Sequence, residues 1–255
     1  MDAGPKVRSF HMLQYLASAG HEVTLTAFRR ASDRPEYLTH LEQYCAMVHT
    51  VPMQRSRGKD LWHLGTSILQ KKPFLITRDH VEAMQSLIRS LVNEQQFDAI
   101  HADQLWMAQY ALDAKASLNG QSKRTRYVLD QHNAVYLIPQ RLASEVGTGR
   151  AKRWILQREA RSLKDYETAA CREFDTVVWV TDDDRRLIEA ATPATINSVT
   201  IPICVDPEEK TAVDRAPGAR RVTFLGGLHW PPPDCWCCRC YSTSMCRCGP
   251  ATARG

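Results

Sequence analysis

Polar side chains able to move protons or hold anions stand at the ends of three apolar runs. The runs finish in His101-Ala102-Asp103, in Asp130-Gln131-His132-Asn133 and in Thr181-Asp182. A short apolar segment that turns polar at its end has the pattern of a buried parallel strand meeting a crevice. In an open α/β sheet, ligands bind beyond the carboxyl ends of the strands. His132 lies just past such a run. It could donate to a substrate hydroxyl or stabilise a developing charge; the alternative is a hydrogen bond to a neighbouring loop. His101 and Asp103 share one strand face and could form an acid/base pair, or His101 could be a structural histidine.

Anion chemistry has a separate candidate. In Asp2-Ala3-Gly4-Pro5-Lys6-Val7-Arg8, Gly4 allows close backbone approach, and Lys6 and Arg8 could meet phosphate at a helix N-terminus. Gly226 and Gly227 follow the apolar run "RRVTFLG" and could make a second close-approach loop. Three motifs are missing: G-x-G-x-x-G, G-x-x-x-x-G-K-[ST] and H-E-x-x-H. A dinucleotide-binding dehydrogenase fingerprint is thereby excluded. "TDDDRR" reads as a helix cap, with Thr181 as N-cap and acids in the first turn, and needs no metal.

Two basic clusters, Lys123/Arg124/Arg126 and Arg150/Lys152/Arg153 beside Trp154, suit either a solvated face or an anionic membrane surface. Nucleic acid is not expected, because acids are interspersed and no reader motif occurs.

These groups need elements to carry them. Residues 6–18 place Val7, Phe10, Leu13 and Met12 on one helical face, with Gly20 as a stop. "EVTLTAF" alternates as a strand. Residues 30–78 give no clear assignment beyond a helix start in "KKPFLITRD". Residues 80–96 form a helix with an apolar face from Val81 to Val92, and 104–118 another. "FDAIHAD", "RYVLDQHN", "FDTVVWV", "NSVTIPICVD" and "RRVTFLG" read as strands. Residues 149–173 read as a long charged helix covered on the side of Trp154, Ile155, Arg158, Leu163 and Tyr166. Alternating strands and helices predict an α/β fold with a mostly parallel sheet.

The chain has 255 residues, 44% of them hydrophobic and 24% charged, with a formal net charge of +5. It is long enough to bury a core without staples. No run of about 18 apolar residues suggests a membrane span, and "MDAGPKVRSF" lacks the apolar core of a signal peptide. Cys45, Cys171 and Cys204 are the only cysteines before residue 235, so the body reads as cytoplasmic and reduced.

Taken in order, several segments resemble the amino-terminal domain of the glycosyltransferase family 4 group, whose fold is GT-B. They are Asp2 to Arg8, "LASAGHEVTLTAF", "FDAIHADQLWMAQYAL", "YVLDQHNAVY", "DYETAACREFDTVVWVTDDDRR", "VTIPICVD" and "VTFLGGLHWPP". The resemblance spans about residues 2–232 and is nearest to bacterial transferases that build surface polysaccharides. It implies a Rossmann-like amino-terminal domain on the acceptor side of a crevice. It also implies a nucleotide-sugar donor, a glycan or lipid-linked acceptor, retention of the anomeric configuration, and neither cofactor nor metal. His132 matches the active-site histidine that contacts the transferred sugar. Gly4 falls in the loop near the donor phosphates. Lys6, Arg8, Asp103, Asn133, Gly226 and Gly227 complete the binding set. Peripheral attachment at the inner face of the plasma membrane is a further implication.

The expected division is an amino-terminal domain over 1–215 that lacks its first strand, and a linker with the start of the donor domain over 216–232. A cysteine-rich tail over 233–255 follows. The tail holds Cys235, Cys237, Cys238, Cys240, Cys246 and Cys248. Cys237 and Cys240 have C-x-x-C spacing, and four thiolates could hold zinc. A shifted reading frame, which turns xTG codons for Leu, Val or Met into TG-initial codons for Cys and Trp, accounts for both the tail and the largely missing donor domain. The sequence reading therefore expects an interrupted, poorly active fragment. A nucleotide- or sugar-binding module, a GT-B epimerase fragment and a zinc-dependent interaction protein are its alternatives.

Overall fold

The computed structural model describes residues 4–53, 56–118 and 125–204, together with Gly218. Apart from Gly218, the description concerns one compact unit, Met1–Thr211. Gly226, Gly227, the linker and the cysteine-rich tail lie outside the described residues, as do Lys123 and Arg124.

The unit opens with helix α1 (Gly4–Ser18), which Gly20 ends in the left-handed conformation at φ 83° that glycine adopts without strain. Strand β1 (Thr24–Arg29) follows. The unassigned stretch resolves into helix α2 (Glu36–Leu41), strand β2 (Met47–Pro52), helix α3 (Arg57–Leu69) and helix α4 (Phe74–Arg78). Next come α5 (Glu82–Glu94), β3 (Ala99–Asp103), α6 (Leu105–Ser117), β4 (Arg126–Gln131), α7 (Leu137–Ser144) and α8 (Arg150–Glu173). Strand β5 (Thr176–Trp179), helix α9 (Asp182–Ala191) and strand β6 (Ser198–Thr200) complete the order. The predicted helices and strands over 6–29 and 80–200 are thus present within a few residues of their expected bounds.

All described strand pairs are parallel. They form two sheets rather than one: β1 with β2, and β3-β4-β5-β6 in sequence order. The larger sheet holds the main core. Leu129, Val177 and Trp179 are fully buried in its two central strands. They pack with Leu105, Ala108 and Ala111 of α6, Leu163, Ala170 and Cys171 of α8, and Ile188 of α9. The alanines on α6 leave no bulk between helix and strands, which permits a close approach. A smaller cluster joins Val51 of β2 to Met84 of α5 and Tyr110 of α6, with Phe28 of β1 against it.

Two expectations about helix faces are corrected. On α1 the predicted apolar face is only half-buried, and the buried side chain is Arg8. On α8, Trp154 and Ile155 are exposed, at 60% and 37%. The covered stripe starts a turn later and runs through Glu159, Ala160, Leu163, Glu167, Ala170 and Cys171. Its spacing is helical, but two members are glutamates, so a search for apolar periodicity places the stripe wrongly.

Leu129 lies in β4, between β3 and β5, and is fully buried. Leu129→Ala is expected to lower unfolding stability by about 2–5 kcal/mol, through lost burial and the cavity left behind. Urea denaturation checks it.

Candidate functional site

Parallel pairing brings the carboxyl ends of β3, β4 and β5 to one edge. Asp103 and Asp130 are register partners, and Gln131 pairs with Trp179 on the other side. Side chains alternate along β4, so Asp130 and Gln131 point to opposite faces. Both are buried, at 1% and 0% exposure, and each burial has to be compensated.

On one face the compensation comes from α1. Arg8 Nε donates to both Asp130 oxygens at 3.0 Å, and Nη2 lies 2.9 Å from Oδ1. Arg8 Nη1 also donates to the Ile201 carbonyl at 2.6 Å. The next residue, Ser9, donates from its hydroxyl to Asp103 Oδ2 at 2.7 Å. Two consecutive residues of α1 therefore engage the ends of two adjacent strands. Burial alone would push the Asp130 carboxyl up. The nearby His101 and the hydrogen bonds and charge of Arg8 outweigh that and hold it below the ordinary carboxylate value.

His132 completes this group. Its side chain is 8% exposed, and Nε2 lies 2.9 Å from Asp103 Oδ1. That contact is not aligned as a hydrogen bond, and neither ring nitrogen has a hydrogen-bond partner among the described residues. Asp103 is 38% exposed, so the group opens to solvent on that side. The residue after Asp103 is strained. Gln104 has φ 70° and ψ 160°, a region almost reserved for glycine, at a cost of about 1–3 kcal/mol. Its N–H donates to the Asp130 carbonyl at 2.9 Å, which holds the turn in place.

On the other face, α8 supports the loop that carries His132. The Glu167 carboxylate accepts from Gln131 Nε2 at 2.9 Å, from the Val135 N–H at 3.0 Å and from the Tyr136 N–H at 3.2 Å. Asp184 Oδ1 accepts from the Ala134 N–H at 3.0 Å. Thr181 caps α9 as expected, its hydroxyl accepting from the Asp184 N–H at 3.2 Å. Glu167 is fully buried. Burial is the largest influence on it and, with the Asp184 charge, pushes its carboxyl up to about 7 against the lowering effect of its donors.

The expected residues fall out as follows. His132 and Asp103 are brought together, and Asn133 is half-buried beside His132 in sequence. Gly4 is the first residue of the 15-residue helix α1, and Lys6 is exposed in its first turn. Arg8, expected beside phosphate, is instead committed to Asp130 and Ile201, because a buried carboxylate needs a counter-charge. His101 does not pair with Asp103. Its Nε2 lies 3.7 Å from Asp130 Oδ2 on the adjacent strand. Ser9 and Glu167 were not anticipated. A glutamate inside the helical stripe of Ala160, Leu163, Ala170 and Cys171 was the available signal for Glu167.

Asp103, Asp130 and His132 hold possible metal-ligand atoms within 4.8 Å of one another. The Arg8 guanidinium already neutralises Asp130 and places a positive charge beside that spot, which opposes a cation. A separate cleft of about 530 Å³ between α7 and α8 is lined by Tyr136, Gln140, Arg161 and Lys164 among others, and by none of the strand-end groups.

Comparison with known proteins adds a family. Residues 3–204 match the model described as "Glycosyl transferase 4-like domain". No curated protein and no solved structure matches the chain.

Two outcomes follow from the strand-end geometry. Arg8→Met strands the buried Asp130 carboxylate, and unfolding stability is expected to fall by about 3–5 kcal/mol in urea titrations. The folded value of Glu167, about 7, lies above its ordinary 4.5. Its contribution to stability is therefore full below about pH 4.5 and is lost as pH rises through about 7, a change of about 3 kcal/mol. Glu167→Gln is expected to flatten that slope in the same titrations repeated across pH.

Proposed function

The chain belongs to the family of glycosyl transferase 4-like domains, and on that premise we propose that its strand-end group is the acceptor side of a sugar-transfer site. The donor is a nucleotide-sugar and the acceptor a glycan or a lipid-linked saccharide, with retention at the anomeric carbon. The single observation that carries the reading is the buried His132 imidazole. Neither of its nitrogens makes an aligned hydrogen bond to a described residue, and Nε2 lies 2.9 Å from an Asp103 carboxylate that opens to solvent. An unmatched buried polar group costs about 1–3 kcal/mol. A sugar hydroxyl supplies both a donor and an acceptor, and offsets that cost when bound.

In this reading His132 donates to a hydroxyl of the transferred sugar, and Asp103 accepts from an adjacent hydroxyl. Lys6 and the N–H groups at the start of α1 face the donor phosphates, where the helix end favours negative charge. Gly4 lets the backbone approach the donor, and Asn133 contributes an amide. Arg8 acts through Asp130, holding α1 against the strand ends. Phosphate charge is handled by these groups without a metal. Peripheral contact with an anionic membrane surface, beside lipid-linked acceptors, belongs to the same reading. Among the described residues no helix is long and apolar enough to cross a membrane.

The test adds a panel of nucleotide-sugars and oligosaccharides to the full chain and follows the His132 imidazole resonances by NMR. Ligands of this site are expected to shift those resonances, and Asp103→Asn to weaken binding about ten-fold. Where transfer is measured, His132→Ala is expected to lower kcat by about 10²-fold or more. Resonances that no nucleotide-sugar or glycan moves, or transfer indifferent to His132→Ala, overturn the proposal.

A further inference from the structure

Helix α3 is inside out. Leu61, Trp62, Ile68 and Leu69 lie on one helical stripe, with Gly65 between them. That stripe faces away from the protein: Leu61 and Trp62 are 72% exposed, Leu69 is 84% exposed and Ile68 41%. The residue the helix buries completely is Ser67. The inward contacts are polar. Arg158 of α8 donates from Nη2 to the carbonyls of Ser67, at 2.5 Å, and Lys72, at 3.1 Å. The Ser162 hydroxyl donates to the Lys71 carbonyl at 3.2 Å. Helix α3 is therefore anchored by its backbone and its polar side, with its apolar side left in water.

Lysines border the stripe. Lys59 lies at one end and Lys71 and Lys72 at the other, all exposed. The start of α8 repeats the combination. Trp154 is exposed there with Arg150, Lys152 and Arg153 around it. Trp154 sits one turn before Arg158 on the same face of α8, the face turned toward the end of α3. The start of α8 is thus a second apolar-and-basic patch, one helical turn from where Arg158 meets the end of α3.

We propose that this face docks on an anionic lipid bilayer, with α3 in the interface plane. Trp62, Leu61, Ile68 and Leu69 enter the boundary between headgroups and acyl chains. Lys59, Lys71, Lys72 and the basic start of α8 meet the anionic headgroups. Charge selects this occupant over a second copy of the chain, because a two-fold contact through α3 sets lysines against lysines. The inference deepens the membrane part of the reading above, and it rests on surfaces separate from His132. Its test reads binding alone, so its failure and that of sugar transfer are distinguishable.

The experiment is co-sedimentation of the full chain with vesicles of phosphatidylcholine, alone or with about 30 mol% phosphatidylglycerol. Binding to the anionic vesicles is expected, with little to the neutral ones, and raised salt is expected to weaken it. Trp62→Asp with Leu69→Asp is expected to abolish binding, and Lys71→Ala with Lys72→Ala to weaken it about thirty-fold. Tyr15→Ser, which alters an exposed aromatic on α1, leaves binding unchanged. Circular dichroism establishes that each variant is folded; the altered side chains are exposed and have no core to disturb. Absence of binding to anionic vesicles, equal binding to neutral ones, or binding indifferent to the α3 substitutions overturns the proposal. So does a dimer in analytical ultracentrifugation that Leu69→Asp converts to monomer, since a second copy then covers the stripe.

Discussion

A carboxylate at the end of a buried strand is the constraint around which this unit is arranged. Asp130 stands between two neighbouring strands and is 1% exposed. Left alone it would be protonated, or the strand end would open to water. Arg8 prevents both by entering from α1 with a guanidinium that is itself buried. The same guanidinium reaches the Ile201 carbonyl just past β6. One ion pair thereby fixes the first helix, a central strand and the end of the last described strand to a single point. Ser9 gains its contact with Asp103 from that anchoring. Ion pairs of this kind contribute modest net stability and strong geometric specificity when both partners are present. Here the specificity is of position: it sets where the N-terminal turn of α1 lies relative to His132.

Buried backbone donors impose a parallel constraint on the other side of the sheet. The first N–H groups of a helix lack partners within it. Helices α4 and α7 have no capping hydrogen bond from their own N-cap side chains, Pro73 and Tyr136. Helix α8 supplies the acceptors instead. Glu159 accepts from the N–H groups of Phe74 and Leu75, and Glu167 from those of Val135 and Tyr136. The two glutamates are eight residues apart and so lie on one face of α8. The long helix acts as a rail carrying two carboxyl groups, one accepting from the first turn of α4 and the other from the N–H groups just before α7. The second short helix follows the loop of His132, so the orientation of that loop depends on a carboxylate two elements away.

The sequence shows some of this and hides the rest for definite reasons. Strands β3, β4 and β5 are legible because each is a short apolar run that turns polar where the sheet ends. His132 and Asp103 are legible for the same reason. The Arg8–Asp130 pair is not, because 122 residues separate its members and nothing local requires an arginine to be buried. Helix α8 is legible as a helix, yet its inner face is misread, because Glu159 and Glu167 stand where apolar residues are expected. Helix α3 lies in the stretch that the sequence leaves unassigned. Its apolar stripe is regular, but it points outward, and a pattern that ordinarily marks a core face marks a surface here. The sheet is legible as parallel, but its division into two pieces follows from pairing, which periodicity does not encode.

Unmatched polar atoms and backbone strain meet at one place, and that coincidence argues for a site more than any single residue does. Neither His132 ring nitrogen makes an aligned hydrogen bond, and Asp103 Oδ1 and Gln131 Oε1 accept none within the same few residues of the strand ends. Gln104, immediately after Asp103, holds a backbone conformation that glycine would adopt more cheaply. Elsewhere Glu159 and Glu167 satisfy awkward groups at the helix ends, and the other buried atoms left without a hydrogen bond, among them His49 Nε2, Tyr166 Oη and Trp179 Nε1, stand singly. A fold able to match those donors from across the sheet has the means to match His132 as well. That it leaves this imidazole unmatched, beside the exposed carboxylate of Asp103, fits a group reserved for hydroxyls that arrive with a ligand.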